Sequence, residues 1–367
     1  MPEARAARIA AVRERMRALN VDTLLLSLGA DLPWLTGYTA MPLERLTMLV
    51  LPVDGDAVLV VPRLEAPRVE ALPELFALRP WDETEDPVEI VTGVIGRSRR
   101  RLAVSDRTWA TFLLALQATL PRATWMMASG VVSPLRAVKD DEEVAALRRA
   151  AAAADRVAAA LMTGQIPLIG RREAAVSREL GERLVDEGHD AVNFAIVGSG
   201  PNSASPHHDA GSRVIEAGET VVCDFGGTMD GYCSDITRTV FTGTPPEEFM
   251  DLYAVLHGAQ AAAVDAARVG TRCQDVDGVA RDLIADGGYG PQFIHRTGHG
   301  IGMEEHEDPY LVSGNREPLV PGHAFSVEPG IYVAGRWGAR IEDIVVATEA
   351  GPDPLNRADH ALAVVES

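Results

Sequence analysis

The chain is short of cysteine and of positive charge, and it has no long apolar run. Three cysteines in 367 residues give no even disulfide framework, and a cytoplasmic setting fits them. Only 34 lysines and arginines face 53 acidic residues, a formal net charge of −19, which argues against nucleic acid as a partner. No stretch approaches the roughly 20 apolar residues of a membrane span, so no membrane partner is expected. Met1 to Arg17 reads as a charged helix without the apolar core of a signal peptide. There is no low-complexity tail and no tandem repeat. Cys223 and Cys233 lack metal-site spacing and read as small buried packing residues.

What is present is length enough for two domains, each with its own core. The first part alternates helix and strand. Ala6 to Leu19 is an amphipathic helix, Asp22 to Leu28 a strand, Leu46 to Val61 a hairpin about Asp54-Gly55, and Leu102 to Asp106 a short buried strand. This reads as an α/β domain over residues 1–131 with no catalytic residues of its own. It would supply dimer contacts and cover an active site, or act purely as support. A boundary is expected in Val131-Val-Ser-Pro134, with the second domain at 132–367. There Asp140-Asp-Glu-Glu opens a long alanine-rich helix, its acids placed where the helix dipole favours them. Gly164 to Gly170 interrupts it. Further helices are expected from Arg171 to about Glu187, Pro245 to Arg268, and Gln274 to Ala285. Helices alternating with acidic hairpins predict an α+β layer.

Two hairpins carry paired carboxylates. Gly218-Glu-Thr-Val-Val-Cys-Asp224 is followed by a turn and by Gly231-Tyr-Cys-Ser-Asp235-Ile-Thr-Arg-Thr. Folding about the bond between Met229 and Asp230 sets Asp224 opposite Asp235, whereas a turn centred on Asp230-Gly231 makes them diagonal neighbours on one face. Gly322-His-Ala-Phe-Ser-Val-Glu328 repeats the plan, and folding about Gly335 sets Glu328 opposite Glu342. The parallel layout suggests two related halves. Like charges facing each other on a sheet are destabilising. Either pair alone could be a solvated acidic hairpin; both together, beside His299 in Gly298-His299-Gly300-Ile-Gly302, indicate bound divalent cations. Oxygen-rich ligation with one imidazole suits Mn²⁺-like ions better than a structural zinc. Such a centre activates water, so metal-assisted hydrolysis follows with the substrate open.

The ordered set Asp-Phe-Gly, Gly-Tyr-x-Ser-Asp-Ile-Thr-Arg-Thr, Gly-His-Gly-Ile-Gly, Val-Glu-Pro-Gly-Ile-Tyr and Arg-Ile-Glu-Asp resembles the pita-bread metallopeptidases, in particular their Xaa-Pro aminopeptidase and prolidase branch. Trp34-Leu-Thr-Gly-Tyr38 extends the likeness loosely into the first half. The resemblance implies a creatinase-like N-terminal α/β domain and a pita-bread domain with a curved antiparallel sheet. It implies two divalent metal ions, Mn²⁺ first, with Co²⁺ and Zn²⁺ as alternatives, on Asp224, Asp235, His299, Glu328 and Glu342. A metal-bridging hydroxide would attack the carbonyl before proline, with Glu328 carrying the proton to the departing nitrogen. His207 and His306 would hydrogen-bond substrate or oxyanion, and His295 would border the proline pocket. Arg340 would orient Glu342 or meet a substrate carboxylate, with Arg336 or a partner-subunit residue as alternatives. His208 replaces His207 if the register slips. His189, His257, His323 and His360 read as surface or loop histidines. A small peptide with proline second is the implied substrate, and a homodimer the implied assembly. Compactness favours dipeptidase over aminopeptidase. The competing readings are a hydrolase or lyase of a small non-peptide amide or osmolyte, and a non-catalytic binding module.

Overall fold

The computed structural model describes residues 2–96 and 100–366, and the chain divides into two compact units, 1–136 and 137–367. In the first, strands β1 (Thr23–Leu26), β2 (Met48–Pro52), β3 (Val58–Pro62), β4 (Ala77–Trp81), β5 (Arg101–Val104) and β6 (Thr124–Met127) form one mixed sheet in the order β4-β3-β2-β1-β5-β6. Helices α1 (Pro2–Leu19), α2 (Asp31–Thr36), α3 (Pro87–Ile95), α4 (Ala110–Thr119) and α5 (Ser129–Arg136) accompany it. The central strand β1 is buried at every position, as its unbroken leucine run requires. Met48 pairs with Val60, which centres the β2–β3 hairpin on Asp54, beside the expected turn. The expected boundary at 131/132 falls inside α5. Pro134 leaves the Gly130 carbonyl without a helical donor, and the Arg15 guanidinium donates to the Gly130 and Val131 carbonyls instead (3.2 and 3.0 Å). The helix therefore runs on to Arg136.

The second unit holds helices α6 (Asp141–Met162), α7 (Glu173–Asp186), α8 (Glu247–Ala266) and α9 (Cys273–Asp286). Asp140 and Glu143 cap the start of α6 reciprocally, which fixes where this helix begins. The strands are β7 (Ala191–Ser199), β8 (Thr220–Met229), β9 (Tyr232–Cys233), β10 (Ile236–Thr242), β11 (Gly298–Gly300), β12 (Glu307–Leu311), β13 (Ala324–Val327), β14 (Gly330–Val333), β15 (Trp337–Arg340), β16 (Asp343–Thr348), β17 (Gly351–Pro354) and β18 (Ala363–Val365). They make two main sheets, β18-β10-β8-β7 with β9 beside β8, and β12-β11-β13-β16-β17, together with the ribbon β14-β15. All pairings are antiparallel except β10 with β18.

The two halves repeat each other. Gly170 donates to Ile215 and Gly270 to Leu319, both at 2.8 Å; Glu173 donates to Arg213 and Cys273 to Glu317 at 3.0 and 2.9 Å. Each half lays two helices on its sheet. Alanines of α6 with Val176, Leu180 and Leu184 of α7 pack on Val221, Cys223, Phe225 and Val240. Phe249, Leu252 and Leu256 of α8, with Val276 and Ile284 of α9, pack on Phe325, Val327, Ile341 and Val345. Both sheets are thereby backed by a packed helical layer. No helix of the described residues is long and apolar enough to cross a membrane.

Candidate metal centre

The β8–β10 hairpin turns at Asp230 and Gly231, both at positive φ (52° and 80°), the backbone of a tight two-residue hairpin turn. Met229 then pairs with Tyr232 and Asp224 with Thr237. Of the two registers open in the sequence, the turn selects the diagonal one, and direct opposition of Asp224 and Asp235 does not form. In the second hairpin Gly330 pairs with Arg340 and Val327 with Asp343, one continuous register that sets Glu328 across from Glu342 as folding about Gly335 requires. Pro329 has no N–H, so the ladder breaks between β13 and β14, and both glutamates sit at that break. Their backbone amides bond sideways: Glu328 N–H to the Thr297 carbonyl (2.8 Å), and Glu342 N–H to the Thr237 carbonyl (3.2 Å). These two bonds tie the second hairpin to the approach to His299 and to the first hairpin.

His299 stands in β11 between two glycines. A Cβ at Gly298 would lie 1.9 Å from the Ser326 carbonyl oxygen, and one at Gly300 2.2 Å from that of Asp308. Only glycine lets these strands close around the histidine. Its Nδ1 lies 3.2 Å from the Gly300 carbonyl, which assigns the proton there and leaves Nε2 as the ligating atom. Nε2 is 3.3 Å from Glu328 Oε1 and 3.7 Å from Asp235 Oδ2.

All five residues line one cavity of about 440 Å³. Ligand atoms of Asp235, His299 and Glu342 lie within 4.8 Å of one another. Burial and then the neighbouring Glu342 push the Asp235 carboxyl well up; burial and then Glu328 do the same to Glu342. Burial pushes Glu328 up to about 7. Burial, with His306 beside it, pulls His299 down to about 3, so this imidazole is neutral, as a metal ligand must be. Asp224 Oδ2 accepts from Arg340 Nη2 at 2.6 Å, but among the described residues its buried Oδ1 has no hydrogen-bond partner. A buried carboxylate oxygen without a donor, beside carboxyls that burial forces toward protonation, fits a bound cation.

The other expected residues divide. His207, His295, His306 and Arg340 line the same cavity. The ring of His306 lies 4.0 Å from that of His299, centroid to centroid. His295 has both nitrogens engaged, Nδ1 with the Arg296 carbonyl (2.7 Å) and Nε2 with the Tyr332 hydroxyl (2.9 Å), so it offers a wall and no free N–H. Arg340 is buried and committed to Asp224, Thr237, Tyr332 and the Pro206 carbonyl; it reaches Glu342 only through Thr237, whose hydroxyl donates to Glu342 Oε2 at 2.6 Å. Arg336 pairs with Glu248 on an exposed surface. His208 is not at the cavity; it bonds Glu173 at 2.9 Å and ties down the segment that carries His207. His189 and His323 lie in loops, as one of the two expectations for them has it, but are buried and not at the surface, His189 bonding Ser234 one residue before Asp235. Sequence reasoning missed Thr237, although its parity with Asp235 in the strand signals it, and it missed Arg296 and Glu305, which also line the cavity.

A two-half α+β fold that gathers three buried carboxylates, a partly buried fourth and a neutral imidazole around one cavity defines a metal-dependent hydrolase. Comparison with known proteins identifies which. Residues 145–349 match the model of metallopeptidase family M24, and residues 8–138 that of the creatinase/prolidase N-terminal domain. The chain is 45% identical over 346 residues to a probable dipeptidase PepE of Mycobacterium bovis, covering 93% of this chain and 92% of the relative. It is 33% identical over 361 residues to a Xaa-Pro dipeptidase of Lactobacillus helveticus, covering 94% and 95%. Among solved structures, a prolidase from Thermococcus sibiricus superposes with a TM-score of 0.92 at 35% identity, covering 98% of each chain. The chain belongs to metallopeptidase family M24 and has the pita-bread fold behind a creatinase-type N-terminal domain. It is an enzyme of the metallo-exopeptidase class.

Proposed function

We propose that this enzyme is a Xaa-Pro dipeptidase, a dinuclear metal-dependent exopeptidase that hydrolyses the bond before proline in a dipeptide. The observation that carries the reading is the convergence of Asp224, Asp235, His299, Glu328 and Glu342 on one cavity, with the buried Asp224 Oδ1 left without a donor among the described residues. The dipeptidase names of its relatives support the substrate class. Asp224, Asp235, His299, Glu328 and Glu342 would hold two divalent cations there. The hard, oxygen-rich donor set favours Mn²⁺. When bound, the ions acidify a water and polarise the substrate carbonyl.

The chain's own residues do the rest. Glu328, beside His299, takes the proton of the attacking water and passes it to the proline nitrogen as the bond breaks. His207 and His306, both at the cavity and exposed, donate to the carbonyl oxygen as negative charge develops on it. His295, fixed by Tyr332, forms the wall for the proline ring. Arg340 and Thr237 hold Asp224 and Glu342 in place. The working form we assign is a cytoplasmic homodimer, which sedimentation of the purified protein tests. The decisive assay is Mn²⁺-reconstituted protein on Ala-Pro, Ala-Pro-Ala and a small non-peptide amide. Ala-Pro should be the best substrate. Equal rates on the dipeptide and tripeptide would remove the dipeptidase assignment, and turnover of the non-peptide amide alone would remove Xaa-Pro specificity. Asp235→Asn should lose both metal and turnover; normal turnover would refute the site.

A further inference from the structure

A dipeptide differs from a longer peptide by a free carboxylate on the proline, and a dipeptidase needs a cation to receive it. The arginines that sequence reasoning offers are already engaged, Arg336 by Glu248 on the surface and Arg340 by Asp224. A second guanidinium borders the cavity. Arg296 lines it, and among the described residues no carboxylate pairs with it. Its side chain is half-buried and lies over the ring of Tyr310, 4.4 Å from the ring centroid. Such a platform restricts the stem without consuming any N–H, so the planar fork stays free for an incoming acid. Its neighbour in sequence is His295, the wall assigned above to the proline ring.

We infer that Arg296 is the specificity-determining residue that receives the carboxylate of the substrate's proline, with Tyr310 as its platform. The inference rests on the Xaa-Pro dipeptidase reading. His295 and Arg296 line the same cavity, so a proline ring held against His295 would present its carboxylate in the space that Arg296 borders. The charge of Arg296 is also felt at Glu328, His299 and His306, so its removal could act on the chemistry instead of on recognition. The test must separate these two effects.

Steady-state kinetics of the Mn²⁺-loaded enzyme on Ala-Pro and on Ala-Pro-amide, which lacks the carboxylate charge, does so. Losing a charge-assisted, bidentate contact should raise KM for Ala-Pro roughly 10- to 100-fold in Arg296→Gln, with a change under about threefold on the amide. Arg296→Lys, which keeps the charge but not the fork, should fall between wild type and Arg296→Gln. Arg336→Gln should leave both substrates unchanged. Equal losses on Ala-Pro and its amide, or an unchanged KM for Ala-Pro in both Arg296 variants, would overturn this assignment while leaving the dipeptidase reading intact. A wild-type enzyme that cleaves neither substrate would overturn both.

Discussion

Loading the metal-free protein with Mn²⁺ at pH 7 should expel protons. The ligand oxygens of Asp235 and Glu342 lie within 4.8 Å of each other, buried. Burial raises both carboxyls well above their ordinary values, and repulsion between two like charges at that distance, about 3.5 kcal/mol at an effective dielectric constant near 20, adds to the rise. Both effects favour keeping a proton on the pair when no cation is bound. Glu328, pushed up to about 7, holds on the order of half a proton more at that pH. Cations replace protons held on these carboxyls, so binding should release protons at pH 7. The assay is calorimetric titration at pH 7 in several buffers of different ionisation enthalpy; the slope of observed against buffer enthalpy gives the proton count. The sign follows for stability. These carboxyls have folded-state values above their unfolded ones, so they favour the metal-free fold at low pH, and that contribution is lost as pH rises through the folded values. For Glu328, rising from its ordinary 4.5 to about 7, the loss is about 3 kcal/mol when complete. The metal-induced rise in Tm should thus be larger at pH 8 than at pH 5.5. Taking the difference between loaded and metal-free protein cancels His295 and His323, buried neutral histidines whose effect on stability runs the opposite way. A slope of zero at pH 7, or proton uptake, would refute the reasoning.

Thr237→Val keeps the shape of the side chain but removes the hydroxyl that donates to Glu342 and accepts from Arg340. Metal affinity should fall roughly 10- to 100-fold with the fold retained, measured by metal titration beside circular dichroism; unchanged affinity would discount the relay. Gly298→Ala drives a methyl into the Ser326 carbonyl at 1.9 Å. Urea unfolding should show a loss of at least about 2 kcal/mol, and bound metal should fall with it. A variant as stable and as metal-replete as wild type would show that these strands part more easily than their packing indicates.

Much of the catalytic unit was legible because its signals are local. Asp140 and Glu143 mark the start of α6 by reciprocal capping, and strand-forming runs mark β8 and β10. The turn residues Asp230 and Gly231 were visible too, but two registers passed through them, and only the backbone conformation at both positions separates the two. His208 and His207 are neighbours in sequence, yet Glu173 claims one and the cavity the other, a distinction set by an element more than thirty residues away. Strand parity puts Arg340 on the face of Glu342, but its carboxylate partner is Asp224, on β8 of the other half's sheet.

The amino-acid order by itself determined which side chains can ligate, because oxygen-rich ligation beside a glycine-flanked histidine is a property of residue types and spacing. It also determined the two acidic hairpins and the helices between them, since capping, turns and periodicity act over a few residues. Only the tertiary structure decided which groups are spent and which are free. Arg340 is consumed by Asp224, while among the described residues no carboxylate pairs with Arg296 on Tyr310 and no donor reaches one oxygen of Asp224. Hydrogen bonds and burial are made between segments far apart in the chain, and the availability of a buried charge depends on every neighbour that folding brings to it.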